Sequence, residues 1–560
     1  MKIVECVPNF SEGRDRKIID QITAAIAAVS GVSLLDVDPG ADTNRTVVTL
    51  VGEPEAVIEG AFQGIKKAAE LIDMRKHQGA HARMGATDVC PFVPVSDVTM
   101  DDCVQYSHQL AERVGQELGI SVFLYEYSAT REDRRNLATI RAGEYEGMDE
   151  KLQDPHWLPD YGPAHLNVTA GVTAIGARQF LVAYNINLNS KDQRIATDIA
   201  LDVREQGRNK RDPKTRKFIR DENGVPLKQS GTLKAVKAVG WYIDEYGVAQ
   251  LSMNLVDIST TPVHIAFEEV RQQARKRGVR VTGSELVGLI PLQAMLDAGR
   301  YYMINQKRST GMPDKDLLYI AIKSMGLDDL TPFDPQEKII EYRIARQYGP
   351  LVDQKIHEFA DELSSDSPAP GGGSVAAVAG SLGAGLAAMV ANLTFGKRKW
   401  EPLYEQMCQL AGQGQALKKR LLQLVDEDTD SFNKVMEAFR LPKGSAEQQT
   451  VRDTAIQEAT KHATRIPFQV LQACRATLDL AIEAARDGNP NSVSDAGVAG
   501  EMASAGARGA ALNVRINLGG ITDKQFCLEM KKGCTRLLGE VDEKLGELRQ
   551  LVDEKLESDG

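Results

Sequence analysis

Four short segments gather residue types able to move protons or hold an anion. The first is RKHQGAHARMGATDVCPF (75–92), which holds His77 and His81, two of only eight histidines, beside Arg75, Lys76 and Arg83. An imidazole titrates near neutrality, so it can take and return a proton at pH 7. The HxxxH spacing also suits a metal pair, but Gly79 interrupts any helix and no glutamate stands at the zincin position, so no metal site is expected. The competing reading is a histidine that ties down a loop. The second segment is LLDVDPGADTNRTVVTLVG (34–52). Strand alternation is expected to turn one of Asp36 and Asp38 inward and the other outward, and turn capping competes with a role facing a cation. The third is SPAPGGGSVAAVAGSLGAGLAAMV (367–390), where Gly371, Gly372 and Gly373 precede Ser374. Such a loop leaves backbone N–H groups at a helix N-terminus free for an anion. It lacks GK[ST] and follows no clear strand, so ATP binding is not expected. A close helix crossing explains the same small residues. The fourth is LVDEDTDSFNKVMEAFRLP (424–442). Asp426 and Asp430 share a helix face and Asp428 points elsewhere. A solvated acidic face is the ordinary explanation; a carboxylate half-buried in a bundle cleft would instead relay protons.

These segments need elements to hold them. Residues 2–8, 34–38, 45–51 and 88–95 read as strands, and 15–29 and 54–72 as helices. That order, βαββαβ, is the ferredoxin-like split unit. A helix (100–118) and a strand (120–126) follow. The pattern recurs: strand 180–188, helix 190–205, a hairpin of 238–245 and 248–257 across Tyr246-Gly247, helix 261–277 and strand 279–286. Inside the second unit, residues 207–234 are polar and dense in Lys and Arg, either a solvated loop or an anion-attracting rim. Around 326–350 the β-rich runs give out, and 336–560 reads as all-α. The expected class is therefore multidomain: an α+β half of two tandem ferredoxin-like subdomains fused to an all-α helical bundle. The expected division is 1–178, 179–325, a linker at 326–345, and 346–560. In the last helix, Cys534, Leu538, Val541, Leu545, Leu548 and Val552 form a 4-3-4-3-4 seam. It serves either packing within the bundle or a contact between subunits.

Composition narrows the class. The chain has 560 residues, 42% hydrophobic and 26% charged, which suits three or four globular domains and excludes long disorder. A net charge of -11 argues against a general nucleic-acid binder. The seven cysteines include no CxxC pair, so neither a disulfide scaffold nor a Cys-type zinc site is expected. No run is expected to reach the ~20 apolar residues of a membrane span, the Ala-rich stretch after Gly373 coming closest. The N-terminus does not read as a signal peptide, and a cytoplasmic location is expected.

The long segments also carry a resemblance. VECVPNFSEGRD (4–15), LLDVDPGADTNRTV, the His77–Phe92 segment, IRAGEYEGM (140–148), FLVAYNINLN (180–189) and REQGR (204–208) resemble the formiminotransferase domain. APGGGSVAA (369–377), LVDEDTDSFNKVMEAFRLPK and INLGGITD (516–523) look like the cyclodeaminase domain. The chain resembles the bifunctional formiminotransferase–cyclodeaminase family of histidine catabolism. The resemblance implies transfer of a formimino group from N-formimino-L-glutamate to tetrahydrofolate, then cyclisation to 5,10-methenyltetrahydrofolate with release of ammonia. It implies His81 as the transferase catalytic residue, Asp428 as that of the cyclodeaminase, and no metal. It assigns folate contacts to Gly162, Pro163, Ala164, His165, Leu166, Asn167, Val168, Thr169, Ala170 and Gly171, and to Gly231, Thr232, Leu233, Lys234, Ala235, Val236, Lys237, Ala238, Val239 and Gly240. Asp38 is expected to steady the cationic formimino carbon, Arg45 and Arg83 to meet glutamate, and Gly371–Ser374 to seat an anionic part of the substrate. The folate is expected with or without a polyglutamate tail, and the assembly is expected to be a homo-oligomer of dimers without nucleic acid or membrane. Rival readings are a formylglutamate donor, a non-catalytic helical oligomerisation domain, and a metal-dependent amidohydrolase using His77 and His81.

Overall fold

The structure, a computed structural model, describes residues 2–41, 43–79, 82–344, 349–396 and 398–558. Two compact units emerge: Met1–Ala294 with Met325–Ala345, and Met295–Ser324 with Arg346–Gly560. This division differs from the one expected. Within 326–344, Ile339 and Ile340 are fully buried, and Ile339 bridges to Ile290. Residues 295–324 side instead with the helical unit, where Gly311 packs so tightly on Ala411 that a side chain there would clash.

The first unit holds two main sheets. Strands β1 (Ile3–Cys6) and β2 (Asn9–Phe10) both lie between β4 (Arg45–Gly52) and β5 (Thr87–Ser96). The strand expected at 2–8 is β1; β2 continues it beyond that range, past Pro8, which removes a ladder donor. β3 (Val32–Gly40) pairs with β4 alone at one edge. Beyond β5 come β6 (Ser121–Glu126) and β7 (Val172–Ala177), with β7 parallel to both β5 and β6. β7 was not expected, because VTAIGA is too short and too small in its residues to read as a strand. Helices α1 (Arg16–Ala27), α2 (Pro54–Leu71) and α3 (Met100–Leu118) bury Ile22, Ile65 and Leu110 against Val4, Leu50 and Phe92 on one face. The opposite face packs Val89, Phe123 and Val172 on Ile140, Met148 and Leu152.

The second sheet comprises β8 (Val182–Leu188), β11 (Val236–Ile243), β12 (Val248–Leu255) and β13 (Val281–Val287), in the order β11-β12-β8-β13 and antiparallel throughout. With β1 and β2 counted as one, both sheets place the strands of their βαββαβ runs in the order second, third, first, fourth. α4 (Gln193–Val203) and α5 (Val263–Lys276) bring Ile199, Ala200, Phe267 and Val270 into the buried core. The basic segment forms an arm, with β9 (Arg208–Asn209) pairing β10 (Lys228–Gln229) and a bridge at Arg211–Phe218.

The helical unit is built on α6 (Gly372–Leu393), α7 (Tyr404–Arg440), α8 (Ala446–Asp487), α9 (Val493–Asn517) and α10 (Lys524–Ser558). α6 and α9 run antiparallel at close range, since Gly383 abuts Ala499 and Ala503 while Gly506 abuts Ala376. The 22 residues of α6 carry no charge, so by length and composition it could cross a membrane, contrary to expectation. Most of it is buried: Ala377, Ala384, Ala387 and Ala391 sit in the bundle core. The apolar seam of α10 is likewise spent inside the chain, with Cys534, Val541, Leu545 and Leu548 buried in that core and Leu538 and Val552 at its edge.

One buried acid yields a pH prediction. Glu5 alternates with the core residues Val4 and Cys6 and so faces the other side of the sheet. Burial pushes its carboxyl up to about 7, and Arg178 offsets this only in part. Native Glu5 thus keeps its proton while the unfolded side chain ionises from about pH 4 upward, so its penalty grows with pH and is complete above 7. Glu5→Gln is expected to leave stability unchanged near pH 4 and to raise it by about 3 kcal/mol at pH 8, measured by urea unfolding at both pH values.

Candidate active sites

The His-bearing loop of the first unit is anchored at both ends to the first expected folate stretch. Met74 N–H donates to the Thr169 carbonyl at 2.9 Å, Ala86 N–H to Ala170 at 2.8 Å, and Val172 N–H to Met84 at 3.1 Å. Gly171 has φ +72, and any side chain there would strike the Met84 carbonyl and Gly85, so glycine permits this weld. Within Gly162–Gly171, the Asn167 carboxamide oxygen accepts from the backbone N–H groups of Thr169 and Ala170 at 3.2 and 3.1 Å.

His77 is a structural histidine. It is buried, its Nε2 lies 2.9 Å from the Asn44 carbonyl, and its Nδ1 accepts from Arg83 Nε at 3.3 Å. Those contacts require the neutral ring with its proton on Nε2. His81 lies outside the described residues. Arg83 is already committed to Glu144 at 2.8 Å and Glu146 at 2.6 Å, both from the IRAGEYEGM segment. Arg45 donates Nε to Asn9 Oδ1 at 2.9 Å and stands 4.0 Å from Asp88. Asp88, buried in β5, also accepts from Arg141 at 2.6 Å and from Met84 N–H at 3.0 Å. The sequence reading missed it, although a carboxylate inside an otherwise apolar strand is a usable signal. Asp36 and Asp38 are both exposed on edge strand β3, not turned opposite ways, since residues two apart on a strand share a face.

The second folate stretch forms a turn and then β11. Thr232 and Leu233 N–H donate to Asp202 and Val203 carbonyls at 2.9 and 3.0 Å, and Lys237 and Val239 are exposed on the strand. A cavity of about 500 Å³ lies against this strand, lined by Lys237, Val239, Arg204 and Gln206. A second, of about 720 Å³, shares Arg204 and Gln206 and is lined by the basic arm, with Arg208, Lys210, Arg211, Arg216 and Lys228. The face of this sheet away from α4 and α5 is polar: Trp241 Nε1 donates to Gln250 at 3.0 Å and Gln250 Nε2 to Asn187 at 2.7 Å. The asparagines of FLVAYNINLN, two residues apart in an apolar strand, announced that face.

In the helical unit the glycine loop and the acidic helix converge. Gly371 is the N-cap residue of α6, so Ser374 sits in its first turn. A side chain at Gly373 would overlap both carboxylate oxygens of Asp428. The Ser374 hydroxyl proton is shared between the Val425 carbonyl at 2.9 Å and Asp428 Oδ2 at 3.4 Å. Burial raises the Asp428 carboxyl above the ordinary aspartate range, and hydrogen bonds from the Ser374 hydroxyl and N–H only partly oppose it. The neighbouring acids face elsewhere. Asp426 accepts from Leu351 N–H at 2.9 Å, Glu427 pairs with Arg420 at 2.5 Å, and Asp430 is exposed. Asn513 of α9, missed by the sequence reading, stands beside Gly372.

Comparison with known proteins accords with this geometry. Family models match residues 3–178 (formiminotransferase domain, N-terminal subdomain), 183–345 (formiminotransferase domain) and 355–536 (formiminotransferase-cyclodeaminase). An α/β transferase half joined to a cyclodeaminase-type helical half is the class that fold and sites define. The formimidoyltransferase-cyclodeaminase of Rattus norvegicus is 42% identical over 96% of both chains. The glutamate formimidoyltransferase of Streptococcus pyogenes serotype M1 is 46% identical over 54% of this chain and 93% of its own. The methenyltetrahydrofolate cyclohydrolase of Methylorubrum extorquens is 40% identical over 37% of this chain and 97% of its own. The chain belongs to the formimidoyltransferase-cyclodeaminase family.

The contact at Gly373 is directly testable. Gly373→Ala is expected to displace Asp428 and slow cyclisation at least 100-fold, a loss of about 3 kcal/mol in transition-state stabilisation, with formimino transfer unchanged. Separate steady-state assays of the two reactions check this.

Proposed function

We propose that the chain is a bifunctional folate enzyme. It moves the formimino group from N-formimino-L-glutamate to N5 of tetrahydrofolate, then closes the ring to 5,10-methenyltetrahydrofolate and expels ammonia. The observation that carries this reading is Asp428, a half-buried carboxyl with a raised pKa seated against the glycine loop of a chain in this family. In transfer, N5 attacks the formimino carbon, the tetrahedral centre collapses, and the glutamate nitrogen leaves with a proton. His81 takes the N5 proton and returns it to that nitrogen, a role worth roughly 10²–10⁴-fold. In cyclisation, N10 attacks the same carbon, and Asp428 accepts the N10 proton and delivers one to the departing amine.

The finer features of the reading are these. Gly162–Gly171 and Gly231–Gly240 contact the folate, and Asp38 faces the cationic carbon. The cationic cavity of the basic arm, contiguous with that of β11, takes a polyglutamate tail. The two formiminotransferase subdomains divide near residue 178, and each βαββαβ run is ferredoxin-like, on the strand order the sheets share. Among the described residues, no group of three His, Cys, Asp or Glu side chains is placed to hold a metal. Outward residues of α6 and α9, namely Val375, Leu382, Val498, Leu512 and Ile516, form an exposed apolar face suited to a second copy in a homo-oligomer of dimers. The same reading assigns the enzyme to histidine degradation in the cytoplasm.

A second reading rests on the bacterial relative named a cyclohydrolase: the helical half hydrolyses methenyltetrahydrofolate to the 10-formyl compound instead of making it. One coupled assay separates the possibilities, with formiminoglutamate and tetrahydrofolate supplied and glutamate, ammonia and methenyl absorbance followed together. Wild type should yield all three. Asp428→Asn should yield glutamate but neither ammonia nor methenyl product, whereas His81→Ala should lose transfer and still cyclise added 5-formiminotetrahydrofolate. Glutamate without ammonia, together with hydrolysis of added methenyltetrahydrofolate to the 10-formyl compound, would favour the second reading, and glutamate alone with added methenyltetrahydrofolate left intact would make the helical half an assembly module. Polyglutamylated folate should retain the intermediate; equal release with mono- and polyglutamate would contradict the tail assignment.

A further inference from the structure

A cleft of about 590 Å³ opens in the helical unit between α6, α7 and the loop at 306–313. It is separate from the Asp428 site: Gly385 on its rim lies twelve residues beyond Gly373, about 18 Å along α6. Its volume is that of a small-molecule site. Met303, Met312, Met389 and Phe395 line it, and thioethers beside a phenyl ring mould readily to a flat aromatic group.

The polar lining is lopsided. Arg308 and Lys418 bring two positive charges against the single negative charge of Asp316. The Lys418 ammonium donates to Gln415 Oε1 at 2.5 Å, and burial pushes its pKa down, the mark of a cation short of solvation. Asn392 donates its Nδ2–H to the Gly311 carbonyl at 2.9 Å, and Gln415 donates to the same carbonyl at 3.2 Å. Asn392 Oδ1 is buried and has no donor among the described residues. A buried acceptor without a donor is uncommon, and in a cleft it marks where a ligand's N–H would sit. Because Gly311 and Gln415 connect Asn392 to Lys418, the unmet acceptor and the under-solvated cation fall within the span of one small molecule.

We propose that this cleft is a second ligand site, built for a flat aromatic carboxylate that carries an N–H donor. The ring lies against the methionines and Phe395. The carboxylate meets Lys418 and Arg308, and the N–H donates to Asn392 Oδ1.

Calorimetric titration of the full chain tests this with indole-2-carboxylate and its oxygen isostere benzofuran-2-carboxylate, which differ at the N–H alone. Wild type should bind the indole acid saturably, with a Kd below about 1 mM, and at least tenfold more tightly than the isostere, as one buried hydrogen bond warrants. Lys418→Met should weaken the indole acid at least tenfold, and Lys418→Arg should restore it. Asn392→Leu should abolish the preference between the two probes. Transfer and cyclisation should be unchanged in all three variants, which confirms their fold. The proposal is overturned if wild type shows no saturable binding, if it binds both probes equally, or if Lys418→Met binds as wild type does. The first two outcomes need no variant, so a variant that fails to fold leaves the test intact.

Discussion

The carboxylate of Asp428 rests on bare backbone. That contact depends on Gly373 having no side chain, and much of the helical unit is arranged around it. α6 starts there, so its first-turn N–H groups and the Ser374 hydroxyl favour the ionised carboxylate. Burial favours the protonated one and outweighs them. The result is a carboxyl held by directed hydrogen bonds yet shifted toward neutrality, the compromise a proton relay needs. The small residues of α6 follow from the same demand. Without charge or bulk, α6 packs closely on α9, and Asn513 reaches the glycine loop.

The α/β unit fixes its loop by different means. The loop containing His81 is pinned by main-chain bonds at Met74, Met84 and Ala86 to the strand-forming segment 169–172. Arg83 is clamped by two glutamates and His77 is spent on Asn44. In that loop His77 serves the structure. The same accounting applies to Arg83, which the sequence offers for glutamate and the structure shows already paired. Arg45 is held by Asn9 and stands beside Asp88, a carboxylate that also pairs with Arg141.

Much of this was legible in the sequence, for reasons that differ from element to element. The α half declared itself through composition, its last helix through apolar spacing, and the hairpin through Tyr246-Gly247, where Gly247 has φ +66. β7 was missed because Ala and Gly give a strand no β-branched signature. The boundary near 295 was missed because helices 292–305 and 314–325 carry no mark of which core they join. The glycine loop and Asp428 stood out singly, but 54 residues separate Ser374 from Asp428, and no local pattern announces that they meet. Helical spacing puts Asp426 and Asp428 on different faces, but only packing tells that the first faces Leu351 and the second the glycine loop.

The claim that Asp428 is the proton relay, tuned by burial against Ser374, is tested most directly by the pH profile of cyclisation in wild type and Ser374→Ala. The account predicts a wild-type inflection above the ordinary carboxylate range, moved higher in Ser374→Ala, because that variant loses a hydrogen bond that favours the ionised form. An inflection at the same pH in both proteins, or none above the ordinary range, would contradict it.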